Sequence, residues 1–185
     1  MQARPESRTL RFPAAGPKCA DLGGRLLGVN QDECWQELQS HPGCHVWTSH
    51  HHSDRSVSWT GACSTDTAEG SGTLSWTASS EHGTSTGTGS LTSGTRQGHW
   101  TQREEEGHIF EGPCLDGERR GVWTASWPDG DRFEGEVRDG KPNGPGIHIF
   151  ASGHAFSGRF RDGCLRHESG QELSVWTTHE ACGFK

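Results

Sequence analysis

The residues of this chain able to do chemistry are its histidines, cysteines, serines and carboxylates, and the spacing of each set limits what it can do. Ser, His and Asp occur throughout, so composition alone leaves a nucleophilic triad open. A triad needs its nucleophile presented beside a histidine, and no Gly-x-Ser-x-Gly elbow occurs to present one. Gly87-x-Gly89 and Gly144-x-Gly146 resemble phosphate-cradling pairs only superficially, because they lie between strand-like segments with no helix start to receive an anion. The reading is therefore not an enzyme. His50-His51-His52, with His45 nearby, can offer imidazoles from one strand face to a metal ion. No carboxylate or cysteine stands at matching spacing, so the run reads as a solvated turn, and neither metal nor cofactor is expected. Arg103-Glu-Glu-Glu106 also reads as a solvated turn.

Seven cysteines in a short chain suggest an oxidising compartment, and an odd count leaves at least one unpaired. None forms Cys-x-x-Cys, which removes the main support for a zinc ribbon or a thioredoxin-like site. Met1 to Pro17 is Pro- and Arg-bearing, without the apolar centre of an export signal. As written the chain reads as cytoplasmic; a truncated start would make it exported or periplasmic. No run approaches the roughly 18 apolar residues that cross a bilayer. A net charge of -7 provides no positive field for a phosphate backbone, so nucleic acid is not an expected partner.

The elements that must position these residues follow from glycine. Only 29% of the 185 residues are hydrophobic, while Gly reaches 27 and Trp 8. That volume suits a thin β architecture stabilised between neighbouring strands. Phe110-Glu-Gly112, Phe133-Glu-Gly135 and Phe156-Ser-Gly158 recur every 23 residues, and a further step back reaches Gly87-Thr-Gly89. Glycine fills two columns completely: Gly89, Gly112, Gly135 and Gly158, then Gly94, Gly117, Gly140 and Gly163. In Arg132-Phe-Glu-Gly-Glu-Val137 apolar or small residues alternate with charged ones, the period of a half-buried strand. Asp116-Gly117, Asp139-Gly140 and Asp162-Gly163 close the strands as hairpin dipeptides. Return strands follow at Gly121 to Trp127 and Gly144 to Phe150, leaving no length for a helix within a unit.

An irregular unit precedes these. Trp59-Thr-Gly61-Ala-Cys63 matches the aromatic-x-Gly strand, and an insertion is placed between Ala78 and Thr86. Cys44 to Trp47 reads as an opening strand joined to Val57 to Cys63 through a turn near Ser53-Asp54. If that turn centres a hairpin, Cys44 and Cys63 face each other and can form a cross-strand disulfide. Asn30-Gln-Asp-Glu33 has the form of a capping box, with Cys34, Trp35 and Leu38 on one helical face, which predicts a short helix covering the first sheet edge. Leu173 to Trp176 is expected as a closing strand. The organisation is then 1–43 as flexible segment and capping helix, 44–178 as the repeat array, and 179–185 as a tail.

The pattern aromatic-x-Gly, Asp-Gly, then Gly-x-Gly or Gly-x-Trp at this period resembles the MORN repeat (membrane occupation and recognition nexus), over roughly Cys44 to Trp176. Gly98-His-Trp100 with Glu111-Gly112 resembles bacterial members, and the Cys44-x-Val-Trp47 and Trp59-x-Gly61-x-Cys63 pair resembles the leading unit of exported members. The chain departs from the family in having no Tyr, using Phe, Trp or Gly at the tyrosine position. The resemblance implies an all-β, elongated single-layer antiparallel sheet of consecutive hairpins, and suggests association with a membrane surface through lipid head groups. Trp100, Trp123 and Trp127 fall on return strands. They are either an exposed aromatic row for a protein partner or cross-strand packing that holds the array together. Two function classes follow. One is a non-catalytic protein-interaction or assembly module, with a protein partner or self-association. The other is phospholipid head-group binding, which the interspersed acids and the net negative charge disfavour.

Overall fold

The computed structural model describes residues 35–48, 55–78, 83–168 and 170–184. All elements among them are strands: β1 (Trp35–Leu38), β2 (His41–Trp47), β3 (Arg55–Trp59), β4 (Ala62–Ser64), β5 (Thr67–Ala78), β6 (Thr84–Thr92), β7 (Thr95–Arg103), β8 (Ile109–Leu115), β9 (Glu118–Arg119), β10 (Gly121–Ser126), β11 (Arg132–Arg138), β12 (Lys141–Ile149), β13 (Ala155–Phe160), β14 (Cys164–Arg166) and β15 (Glu172–Ser174). Thirteen form one sheet whose main path is β1-β2-β5-β6-β7-β8-β10-β11-β12-β13, and β14 pairs with β15 in a second, small sheet. The large sheet is antiparallel except for a single parallel bridge, His45 to Thr67.

The two glycine columns have different physical roles. At Ser93-Gly94, Asp116-Gly117, Asp139-Gly140 and Asp162-Gly163 both residues take positive φ, from 47° to 52° at the first position and 73° to 86° at the second. That is the type I′ turn, whose twist matches the strands it joins and which favours Asp-Gly. In the other column the requirement is close approach. A Cβ on Gly89 would lie 2.5 Å from the Trp100 ring, and one on Gly112 would lie 2.5 Å from the Trp123 ring. The indole of each return strand thus lies flat on the glycine of the strand before it.

This packing builds the core on one face of the sheet. Trp59, Trp100 and Trp123 are each 1% exposed, and Trp59 stacks on Trp100 with centroids 6.4 Å apart. Their indole N–H groups donate to carbonyls: Trp100 to Ser90 at 3.1 Å and Trp123 to Pro113 at 2.9 Å, one repeat apart. Phe110, Phe133 and Phe160 continue the same face, with Phe156 partly buried beside it. The repeat expected from the glycine spacing is therefore the structural repeat.

Three expectations are corrected. The predicted capping helix does not form at Trp35 to Leu38, which is strand β1 paired with β2; the capping-box residues Asn30 to Glu33 and Cys34 lie outside the described residues. Trp35 and Leu38 are both buried although three apart, because a bulge between Glu37 and Leu38 shifts the strand's alternation. That parity shift imitates helical spacing in the sequence.

Second, Cys44 and Cys63 are disulfide-bonded with Cα atoms 6.1 Å apart, but not across a hairpin. β2 pairs with β1 and touches β5, while β3 and β4 both pair with β5. Third, the closing strand is Glu172–Ser174, shorter than expected, and it pairs with β14 rather than extending the main sheet. The last repeat is cut short by a turn closed by His167 N–H to Gln171 O at 2.8 Å. A Cys164–Cys182 disulfide then fastens the final residues, expected to be a tail, back to this hairpin.

Candidate functional site

The inner face carries more than hydrocarbon. Arg96 and Arg119 stand one repeat apart, in a column continued by the buried Pro142 and Leu165. Arg96 is 8% exposed, and its guanidinium carbon lies 5.9 Å from the rings of both Trp76 and Trp100. Arg119 lies 4.9 Å from Phe110, 5.0 Å from Trp123 and 5.5 Å from Trp176. Its NH2 donates to Gln102 Oε1 at 2.8 Å, and Gln102 Nε2 donates to Glu104 Oε1 at 3.3 Å. Glu104 in turn approaches His108 Nδ1 at 3.5 Å.

Burial dominates the electrostatics here. Desolvation lowers the Arg96 pKa, with the neighbouring Cys114 acting in the opposite sense. Arg119 is lowered to about 10, first by burial and then by repulsion from Arg96, against the attraction of Glu104 and Cys114. Burial pushes the Cys114 thiol above its ordinary 9.0, and the two arginines pull it back only in part. Cys114 is unpaired and buried, in a column with Leu91, Val137 and Phe160, and behaves as a small apolar residue.

The C-terminal segment closes over this region. Trp176, at φ +59°, lies 5.3 Å from Phe110 and 5.6 Å from Phe133. Val175 N–H donates to Gly163 O at 2.8 Å, which anchors the segment at the last Asp-Gly turn.

The outer face is polar over the early hairpins. Ser71 meets Ser90, Thr73 meets Thr88 and Thr77 meets Thr84, with oxygens 2.9, 3.3 and 3.1 Å apart. Over the later hairpins apolar residues emerge: Leu115 is 53%, Val122 54% and Ile149 37% exposed. Val122 and Ile147 line a shallow depression of about 250 Å³ with Glu134, Glu136 and Pro145.

A family model of the MORN repeat matches residues 133–155. The chain contains a MORN repeat. The matched span is one complete unit, from the start of the Phe133-Glu-Gly135 strand through the return strand β12 to the turn at Gly153. The units at Gly89, Gly112 and Gly158 share its glycine columns and Asp-Gly or Ser-Gly turns, so the hairpin pattern extends beyond the matched segment in both directions. No curated protein shows significant similarity to the chain. MORN repeats as a family are modules of protein or membrane interaction and generally not enzymes.

Of the residues singled out from sequence, the glycines and the phenylalanines share one continuous sheet. Trp100 and Trp123 are packed within the array rather than displayed, which follows the cross-strand alternative. Trp127 is partly buried, 6.5 Å from Phe110 and 5.6 Å from His148. His50 to His52 lie outside the described residues. Glu104, Glu106 and His108 instead bring ligand atoms within 4.8 Å of one another on a half-exposed turn. Four features escaped sequence reasoning: the arginine column, Trp176, the Cys164–Cys182 pair, and the Asp131 to His148 contact at 3.0 Å. The arginines were detectable, since they recur at the repeat spacing, each two residues after its turn glycine, at Gly94 and Gly117. The others depend on a fold-back or a cross-strand register that no local motif announces.

Proposed function

We propose that this protein is a non-catalytic interaction module, which holds a protein partner or a second copy of itself on the outer face of its later hairpins. The observation that carries the reading is the exposure of Val122 and Ile149 on strands whose opposite face is already filled by tryptophan and phenylalanine. An apolar side chain standing in water on a sheet face is stabilised when a partner covers it. The surrounding charges favour protein over lipid. Arg132, Arg138 and Arg159 share this face with Glu111, Glu134 and Glu136, a mixed pattern that suits complementary pairing and gives no clustered positive charge for anionic head groups.

Sedimentation velocity over a concentration range tests self-association, and cross-linking from a photoreactive group at Val122 tests a foreign partner. The Val122→Asp, Ile149→Asp double variant should fold normally and lose the complex seen with the parent chain. Tight co-sedimentation with anionic vesicles at low salt, unaffected by that variant, would replace this reading with head-group binding.

A further inference from the structure

The inner face holds two enclosed hydrogen-bond donors without an acceptor, and Arg119 connects their surroundings. Arg96 Nε is enclosed and unpartnered, and so is Trp176 Nε1. Arg119 lies between the two, in electrostatic contact with Arg96 and 5.5 Å from the Trp176 ring. Neither guanidinium forms an ion pair with a carboxylate among the described residues; the acid nearest to Arg119 in the hydrogen-bond chain, Glu104, is held off by Gln102. Two like charges within electrostatic reach, Arg96 buried and Arg119 partly so, repel each other, and proteins ordinarily pair such groups. Cys114, also in this cluster, does not neutralise them, since burial keeps its proton on.

The walls are aromatic: Trp76, Trp100, Phe110 and Trp123 stand against the two guanidiniums. Against Phe110 and Arg119 lies Trp176, whose backbone occupies a left-handed conformation that bulky side chains rarely adopt. A ring in that conformation with its N–H unsatisfied is poorly matched to its position, as expected of a group standing where a ligand would otherwise lie.

We propose that the inner face around Arg96 and Arg119 binds the carboxylate of a small organic acid with an apolar or aromatic body, and that Trp176 is the cover displaced or turned to admit it. The carboxylate accepts from the two guanidiniums and from the indole N–H, and the carbon body lies against the tryptophan and phenylalanine rings. The site is separate from the outer face on which a protein partner is proposed to dock, so either can hold without the other.

Thermal unfolding of the full chain, followed by tryptophan fluorescence, tests this with cyclohexanecarboxylate, its neutral amide and inorganic phosphate. The acid should raise the midpoint by about 5 to 10 °C at about a hundredfold its dissociation constant. The amide and the phosphate should leave the midpoint in place. Arg96→Met should unfold at or above the parent midpoint, since it removes an uncompensated buried charge, and should lose at least tenfold in affinity for the acid. Arg96→Lys retains the charge and should bind weakly. No shift with the acid, or an equal shift with the amide or with phosphate, overturns the proposal. So does an Arg96→Met protein markedly less stable than the parent, because the arginine would then be a satisfied member of the core.

Discussion

Gly112 illustrates how one atom sets the packing of a repeat. Its missing Cβ leaves room for the Trp123 ring, which a methyl group would approach to 2.5 Å. Gly112→Ala should therefore cost about 1–3 kcal/mol by overpacking, read as a lowered urea midpoint with an unchanged slope. Cys114 carries a different signature. Its folded pKa lies above the ordinary 9.0, so the native state holds a proton that the unfolded chain releases there. The associated stability is full below pH about 9 and is lost as pH rises through the folded value. Arg119 acts in the opposite sense: with its folded value at about 10, the unfolded chain binds more protons above that pH and stability rises. Cys114→Ala should thus remove the alkaline loss and leave the arginine's rise, as measured by urea unfolding from pH 8 to 11. The thiol should also resist aqueous disulfide reagents until denaturant is added.

At the scale of the element, the Asp-Gly hairpin separates two costs that sequence alone merges. Gly140 takes φ +75° with nothing within 4 Å of an added Cβ, whereas Gly117 takes φ +85° with the Trp47 ring 2.6 Å away. Gly140→Ala should cost about 1–2 kcal/mol, the left-handed penalty alone. Gly117→Ala should cost more, because it also displaces the ring that packs β2 against the turn. Comparison of the two urea midpoints checks this order. Hairpins of this kind were legible because the type I′ turn and the period-two alternation are local, written within some ten residues. β1 was misread because a bulge, itself decided by pairing with β2, converts strand parity into an apparent helical spacing.

For the molecule as a whole, stability comes from neighbour-to-neighbour contacts, and the C-terminal segment is fastened covalently. The Cys164–Cys182 bridge spans 18 residues, a loop worth about 3 kcal/mol in chain entropy. Cys182→Ala should lower the unfolding midpoint and open 167–184 to proteolysis, since that bridge retains the segment bearing Trp176. A non-reduced digest should recover the Cys44–Cys63 and Cys164–Cys182 peptides linked, with Cys114 alkylated only after unfolding. By itself the sequence determined that consecutive glycine-punctuated hairpins pair into one sheet, because turn chemistry and side-chain alternation act over short distances and repeat at a fixed interval. Only the tertiary structure decided which tryptophans are covered, that Arg119 lies against Trp176 within electrostatic reach of Arg96, and that the last repeat folds back on a disulfide. Those outcomes depend on which face of the sheet closes and on contacts between residues far apart in the chain, where no local preference acts.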